Sequence, residues 1–104
     1  MEEISIIGIN LAKNVFQAHG ATADGRPVFR KKVRRSKVLS LLAGIPYCTV
    51  AMEACASSHR WARKIGKLGH TVKMIPPIYV KPYVKRQKID ANDAEAIAEA
   101  ASRP

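Results

Sequence analysis

Acid is the scarce chemistry in this chain. Eight Asp and Glu residues face eighteen Lys and Arg over 104 residues, giving a formal charge of +10 and an isoelectric point near 10.1. That imbalance argues against a cationic partner and for a polyanion, of which nucleic acid is the commonest. Cysteine is limited to Cys48 and Cys55, with no CxxC spacing, which leaves no disulfide framework. Cys48, in an apolar stretch, suits a free thiol in a reducing cytosol. A zinc site from Cys48, Cys55 and His59 would lack a fourth ligand at familiar spacing. No apolar run approaches the roughly 20 residues of a membrane-spanning helix. Met1-Glu2-Glu3 is acidic where the start of a signal peptide is basic. A cytoplasmic protein is therefore expected. Hydrophobic residues make up 47% of the chain, too many for a disordered segment. There is no internal repeat or low-complexity tract, and the length suits one domain over residues 1–104.

The hydrophobic pattern predicts an α/β fold. Residues 4–9 are apolar on both strand faces, as in a central strand. Residues 14–20 read as a second strand. Ala23-Asp24-Gly25 marks a turn, and residues 26–33 read as a third strand, closing a meander. Arg30, Lys31 and Lys32 suit an edge strand protected by charge. Ser36 is placed to cap a helix through about Ala43, stopped by Gly44 and Pro46. Residues 49–52 form a fourth, doubly apolar strand. Ser57 or Ser58 is placed to cap a helix to about Leu68, with Trp61, Ile65 and Leu68 as its buried stripe and Gly69 as its stop. Residues 71–75 make a fifth strand, so strand, helix and strand form a parallel crossover unit. Pro82 leaves residues 78–88 without a clear assignment, and a last helix runs from about Ala91 to Ala101. The expected architecture is a mixed five-stranded sheet with helices on its faces, in the order βββαβαβα.

Three of the few acids occupy places where a carboxylate is costly without a task. Glu53 closes the apolar run Cys48-Thr49-Val50-Ala51-Met52, at the carboxyl end of a sheet strand where sites form in open α/β sheets. At about 100° per residue, Asp90 and Asp93 fall on the apolar face of the last helix with Ala94, Ile97 and Ala101, while Glu95 and Glu99 fall on the opposite, solvent side. An unpaired buried carboxylate costs several kcal/mol, which metal ions offset. Asn10 holds the equivalent end of the first strand. Positions 10, 53, 90 and 93 can thus converge, and hard oxygen ligands suit Mg²⁺ or Mn²⁺. A pair of such ions can serve phosphodiester cleavage. Structural roles fit the same residues: helix capping, with Asp90 or Asn92 as N-cap and Asp93 or Glu95 at N3, and for Glu53 an ion pair with one of many nearby bases, such as Arg60 or Arg63. Lys13 follows the first strand, and Lys81, Lys85, Arg86 and Lys88 precede Asp90, interleaved with Tyr79 and Tyr83. These cations suit nucleic-acid phosphates, and the tyrosines suit either stacking on bases or packing inward. His19 and His70 fall in a strand and a turn with no partner legible.

Three segments together resemble one family. GINLAKNVFQAHG resembles the G-I-D-x-A-K-x-x-F opening of the IS110-family (DEDD) transposases. AMEACASSHRWAR resembles their M-E-A-x-x-x-x-x-x-W segment, and KPYVKRQKIDANDAEAIAEA their V-K-x-x-x-K-x-D-x-x-D-A-x-A-I segment. The last is the most specific, and the three occur in order across nearly the whole chain. The resemblance implies a ribonuclease-H-like (RuvC-like) domain over residues 1–104 whose Asp, Glu, Asp and Asp bind divalent metal. Glu53, Asp90 and Asp93 match the last three of these catalytic places and Asn10 the first. Such a domain acts in DNA strand cleavage and exchange during transposition of an insertion element. The neutral Asn10 departs from the family pattern and implies a weak or inactive enzyme. The family also implies DNA and a guide RNA from the element as partners, a carboxyl-terminal transposase domain with a Ser nucleophile that is absent from this sequence, and a cytoplasmic, nucleoid-associated place in a bacterial or archaeal cell; a homo-oligomer is compatible. A rival reading is a non-catalytic nucleic-acid-binding remnant or regulator with the same fold. A sugar-kinase or actin-like ATPase half shares the strand order, but no phosphate-binding glycine pair follows the first strand.

Overall fold

The computed structural model describes residues 3–84 and 90–103, with main chain alone for residues 90–92. Five strands form one sheet: β1 (Ile6–Asn10), β2 (Val15–Ala21), β3 (Pro27–Arg34), β4 (Thr49–Glu53) and β5 (Thr71–Ile75). Their order across the sheet is β3-β2-β1-β4-β5. The β1–β2 and β2–β3 pairs are antiparallel, whereas β1–β4 and β4–β5 are parallel. The doubly apolar first strand is therefore the central one, and the cationic third strand is an edge, as the sequence predicts. The meander turns at Gly25, whose φ of +90° is available to glycine at no steric cost. Thr22 N–H donates to the Arg26 carbonyl at 2.9 Å and Gly25 N–H to the Thr22 carbonyl at 3.0 Å, closing the hairpin.

The helices are α1 (Val38–Ala43), α2 (Ser58–Gly66), α3 (Pro77–Val80) and α4 (Asp90–Ala101). The sheet separates two cores. On one face α1 and α2 cover Ile7, Ile9, Phe16, Val50 and Met52, with Val38, Leu42, Trp61 and Ile65 packed against them. The Phe16 and Trp61 rings meet edge to face, with centroids 5.0 Å apart. On the other face α4 lays Ala96, Ile97, Ala98 and Ala101 over Ile6, Ala51 and Ile75. Small residues let this helix come close. A β-carbon on Gly8 would lie 2.3 Å from the Ala94 carbonyl oxygen and 2.6 Å from the Ala98 nitrogen, so only glycine allows that approach.

Several local expectations are corrected. Ser36 does not cap a helix: Arg35–Lys37 form a 3-10 turn, and α1 starts at Val38 with no side-chain cap. Ser57 precedes α2 without a capping bond. Ser58 instead ties the preceding loop, its hydroxyl donating to the Cys55 carbonyl at 2.8 Å and accepting the Cys55 N–H at 3.1 Å. The segment that Pro82 obscured holds α3, opened by Pro77 in its first turn, and a 3-10 turn at Lys81–Tyr83. His70 does have partners. Its Nδ1 accepts the Cys48 N–H at 3.2 Å, and its Nε2 lies 2.7 Å from the Leu42 carbonyl. The first bond leaves Nδ1 without a proton, so Nε2 carries it and donates to Leu42. The buried ring thus fastens the end of α1 to the starts of β4 and β5. His19, buried in β2, is likewise partnered.

Candidate carboxylate site and basic rim

The carboxyl ends of β1 and β4 lie side by side. Ile9 pairs with Met52, so Asn10 and Glu53 are the next step of the parallel ladder. Side chains alternate across a strand. Ile7, Ile9, Val50 and Met52 fill the α1–α2 core, while Ile6, Gly8 and Ala51 face α4. Asn10 and Glu53 therefore project on the α4 face. Asp93 lies in the first turn of that helix, immediately before the Ala94 that meets Gly8. All three side chains are half-buried.

Glu53 records this proximity electrostatically. Its carboxyl is pushed above the ordinary value of 4.5, first by burial and then by the negative charge of Asp93. Among the described residues Glu53 makes no ion pair, with Arg60, Arg63 or any other base. Two carboxylates from distant parts of the sequence thus lie close enough for one to feel the charge of the other. Both are hard oxygen donors, and among the described residues neither forms an ion pair, a combination that fits a divalent ion. The main chain of Asp90 begins α4 one turn ahead of Asp93; its side chain lies outside the described residues. Among the described residues no group of three or more His, Cys, Asp or Glu is placed to hold a metal ion. The Cys48, Cys55 and His59 combination is accordingly not assembled.

Gln17 is a neighbour that sequence reasoning missed. It pairs with Asn10 in the β1–β2 register and is buried on the same face. A polar residue amid the alternation of β2 was the available signal. The helical wheel also misplaced Glu95. That carboxylate is not on an open solvent face but 3.1 Å from the Arg30 guanidinium of β3. Glu99 does project outward and is bonded to Arg103 one turn on.

The expected nucleic-acid contacts divide. Lys13 is exposed in the loop after β1, and Lys81 is exposed in the 3-10 turn after α3. Lys85, Arg86 and Lys88 lie outside the described residues. Tyr79 is 64% exposed, free to meet a ligand. Tyr83 packs against the α4 core beneath the Arg103 guanidinium. A second basic feature includes the end of the Arg30–Arg35 stretch, the alternative place for a nucleic-acid interface in the sequence. Arg34 and Arg35 at the end of β3 join Arg60 and Lys64 of α2 around a groove of about 600 Å³. Arg34 pairs with Val15 and Asn10 with Gln17, so this groove opens at the same end of the sheet as the carboxylates.

A mixed five-stranded sheet with this strand order and helices on both faces is consistent with a ribonuclease-H-like fold. Relatives narrow the class. A "Probable family 20 transposase" of Pseudomonas aeruginosa is 54% identical over 101 residues, covering 97% of this chain and 30% of the relative. The transposase for insertion sequence element IS1328 of Yersinia enterocolitica is 48% identical over 104 residues, 100% of this chain and 31% of the relative. That for insertion sequence element IS1111A of Coxiella burnetii is 43% identical over 103 residues, 99% of this chain and 28% of the relative. No family model matches the chain. The chain is thus a relative of transposases along its whole length, and spans under a third of the length of those relatives.

Proposed function

We propose that this chain is the RuvC-like, metal-binding part of an IS110-type (DEDD) transposase, acting on DNA in strand cleavage and exchange. The supporting observation is the meeting of Glu53 and Asp93 beside Asn10 at the carboxyl ends of the two central parallel strands. Glu53 and Asp93, with Asp90 one turn before, are the residues that would hold Mg²⁺ or Mn²⁺. Bound there, the metal would supply Lewis acidity toward a phosphodiester and activation of an attacking oxygen. The protein's own part is to hold its carboxylates on two rigid elements, with Gly8 letting α4 reach the strand ends. Asn10 supplies an amide where the family pattern has an anion, so the charge available for a dication is one short and activity is impaired. A guide RNA and a further domain bearing a Ser nucleophile complete the reading.

Restoring the anion tests it. Asn10→Asp should tighten Mn²⁺ binding in calorimetric titration, and should enlarge the rise in melting temperature that metal produces. Equal affinities and equal thermal shifts for the two forms would remove position 10 from the ligand set. A second reading has its own support in the same neutral residue: a nucleic-acid-binding module without catalysis. Metal-dependent DNA cleavage by the Asn10→Asp chain, within a full-length transposase, separates the two.

A further inference from the structure

We propose that the groove between the end of β3 and α2 is a docking track for the backbone of duplex DNA, distinct from the Tyr- and Lys-rich segment before α4. Arg34, Arg35, Arg60 and Lys64 line it, and none of its lining residues is acidic. Among the described residues none of the four forms an ion pair. Like charges gathered around one groove with no acid among them repel one another. A line of phosphates relieves that repulsion and releases its own counterions on binding.

Trp61 defines the kind of nucleic acid. Its ring forms part of the wall but is only 4% exposed. The Arg35 guanidinium and Lys64 ammonium sit over it at 5.6 and 5.4 Å from the centroid. The indole therefore anchors two of the cations and is closed to stacking by a base. Sites for unpaired strands combine cations with accessible aromatic faces; this groove offers phosphate recognition alone, which suits a paired helix. The choice of DNA rests on the transposase reading. The groove lies at the same sheet end as Asn10 and Glu53 but on the α2 face, opposite the α4 face on which those side chains project.

The test compares two variants of equal charge in the whole 104-residue chain, Arg34→Gln/Arg60→Gln in the groove and Lys31→Gln/Lys32→Gln on the β3 edge. Binding to labelled duplex DNA, duplex RNA and single-stranded DNA is measured by anisotropy across a salt series, with chelator present. The groove pair should lose about tenfold or more in duplex-DNA affinity, and its slope of log affinity against log salt should fall by about 0.9 for each lost phosphate contact. The edge pair should change far less. Equal losses for the two variants would overturn the proposal, as would a groove loss larger for single-stranded DNA or duplex RNA than for duplex DNA. The exposed single change Arg60→Glu, with melting curves on every form, keeps a folding defect from passing as a binding defect. Divalent metal is absent throughout, so failure here leaves the carboxylate site untouched, and failure of the Asn10→Asp titration leaves the groove untouched.

Discussion

At the residue scale, Glu53 carries the clearest consequence. Its carboxyl is pushed up by burial and by the charge of Asp93. In the folded protein it therefore binds its proton more tightly than in the unfolded chain. Below the ordinary value of 4.5 both states are protonated and the group is neutral toward stability. As pH rises past that value the unfolded chain ionises first, and the folded state loses stability until Glu53 has ionised in it as well. Glu53→Gln should accordingly raise the melting temperature at neutral pH in chelator, with the advantage vanishing under acid conditions below 4.5. Melting curves of both forms across pH measure this. A difference that stays constant with pH would mean that charge at Glu53 is not what destabilises the site. On the proposed metal reading, added Mn²⁺ should reverse the ranking, because it would stabilise only the form that keeps the Glu53 carboxylate.

At the scale of elements, the contact of β1 with α4 decides whether the carboxylates meet. Gly8→Ala places a β-carbon against the main chain of α4 at Ala94 and Ala98. Main chain cannot swing aside as a flexible side-chain tip can, so the helix must lift. A cost of about 1–3 kcal/mol or more is expected, read as a lowered denaturation midpoint. On the proposed metal reading, affinity for Mn²⁺ should fall alongside, because Asp93 rides on the displaced helix. Loss of stability with metal affinity intact would show that α4 slides rather than lifts. The strands were legible in sequence to within a residue or two, because period-2 alternation and turn residues are local signals. Glu53 and the Asp93 face were legible because an acid at the end of an apolar strand, or on an apolar helix stripe, stands out. What failed was non-local. The partners of His70 lie on Cys48 and Leu42, 22 and 28 residues back along the chain. Glu95 was turned outward by a wheel that assumes one buried side, whereas Arg30 of the edge strand reaches over the helix. Ser36 and Ser57 have the right residue type for caps, but Ser36 falls inside a 3-10 turn, and Ser57 precedes α2 without a capping bond while Ser58 ties the loop at Cys55.

At the scale of the whole molecule, charge of +10 on 104 residues should give nucleic-acid binding that is strong at low salt and largely independent of sequence. Neutralising Lys81, Lys85, Arg86 and Lys88 together should weaken duplex-DNA binding and flatten its salt slope, as measured by anisotropy. Unchanged binding would assign the contacts to the Arg34–Lys64 groove instead. No helix among the described residues is long and apolar enough to cross a membrane.

The closeness of α4 to β1 also sets an order of assembly. Ile6 pairs with Thr49, and Gly8 touches Ala94 and Ala98, so the first strand waits for partners made much later. Contacts of such long sequence separation form slowly and late. On a ribosome, which adds residues from the amino end, the β-meander can close while the rest of the chain is still being made. Glu53 then emerges without its companion, and Asp93 joins it only after α4 has left the exit tunnel and seated on Gly8. Nascent chains shorter than that have no paired carboxylates, so the two acids come together only once α4 has been made.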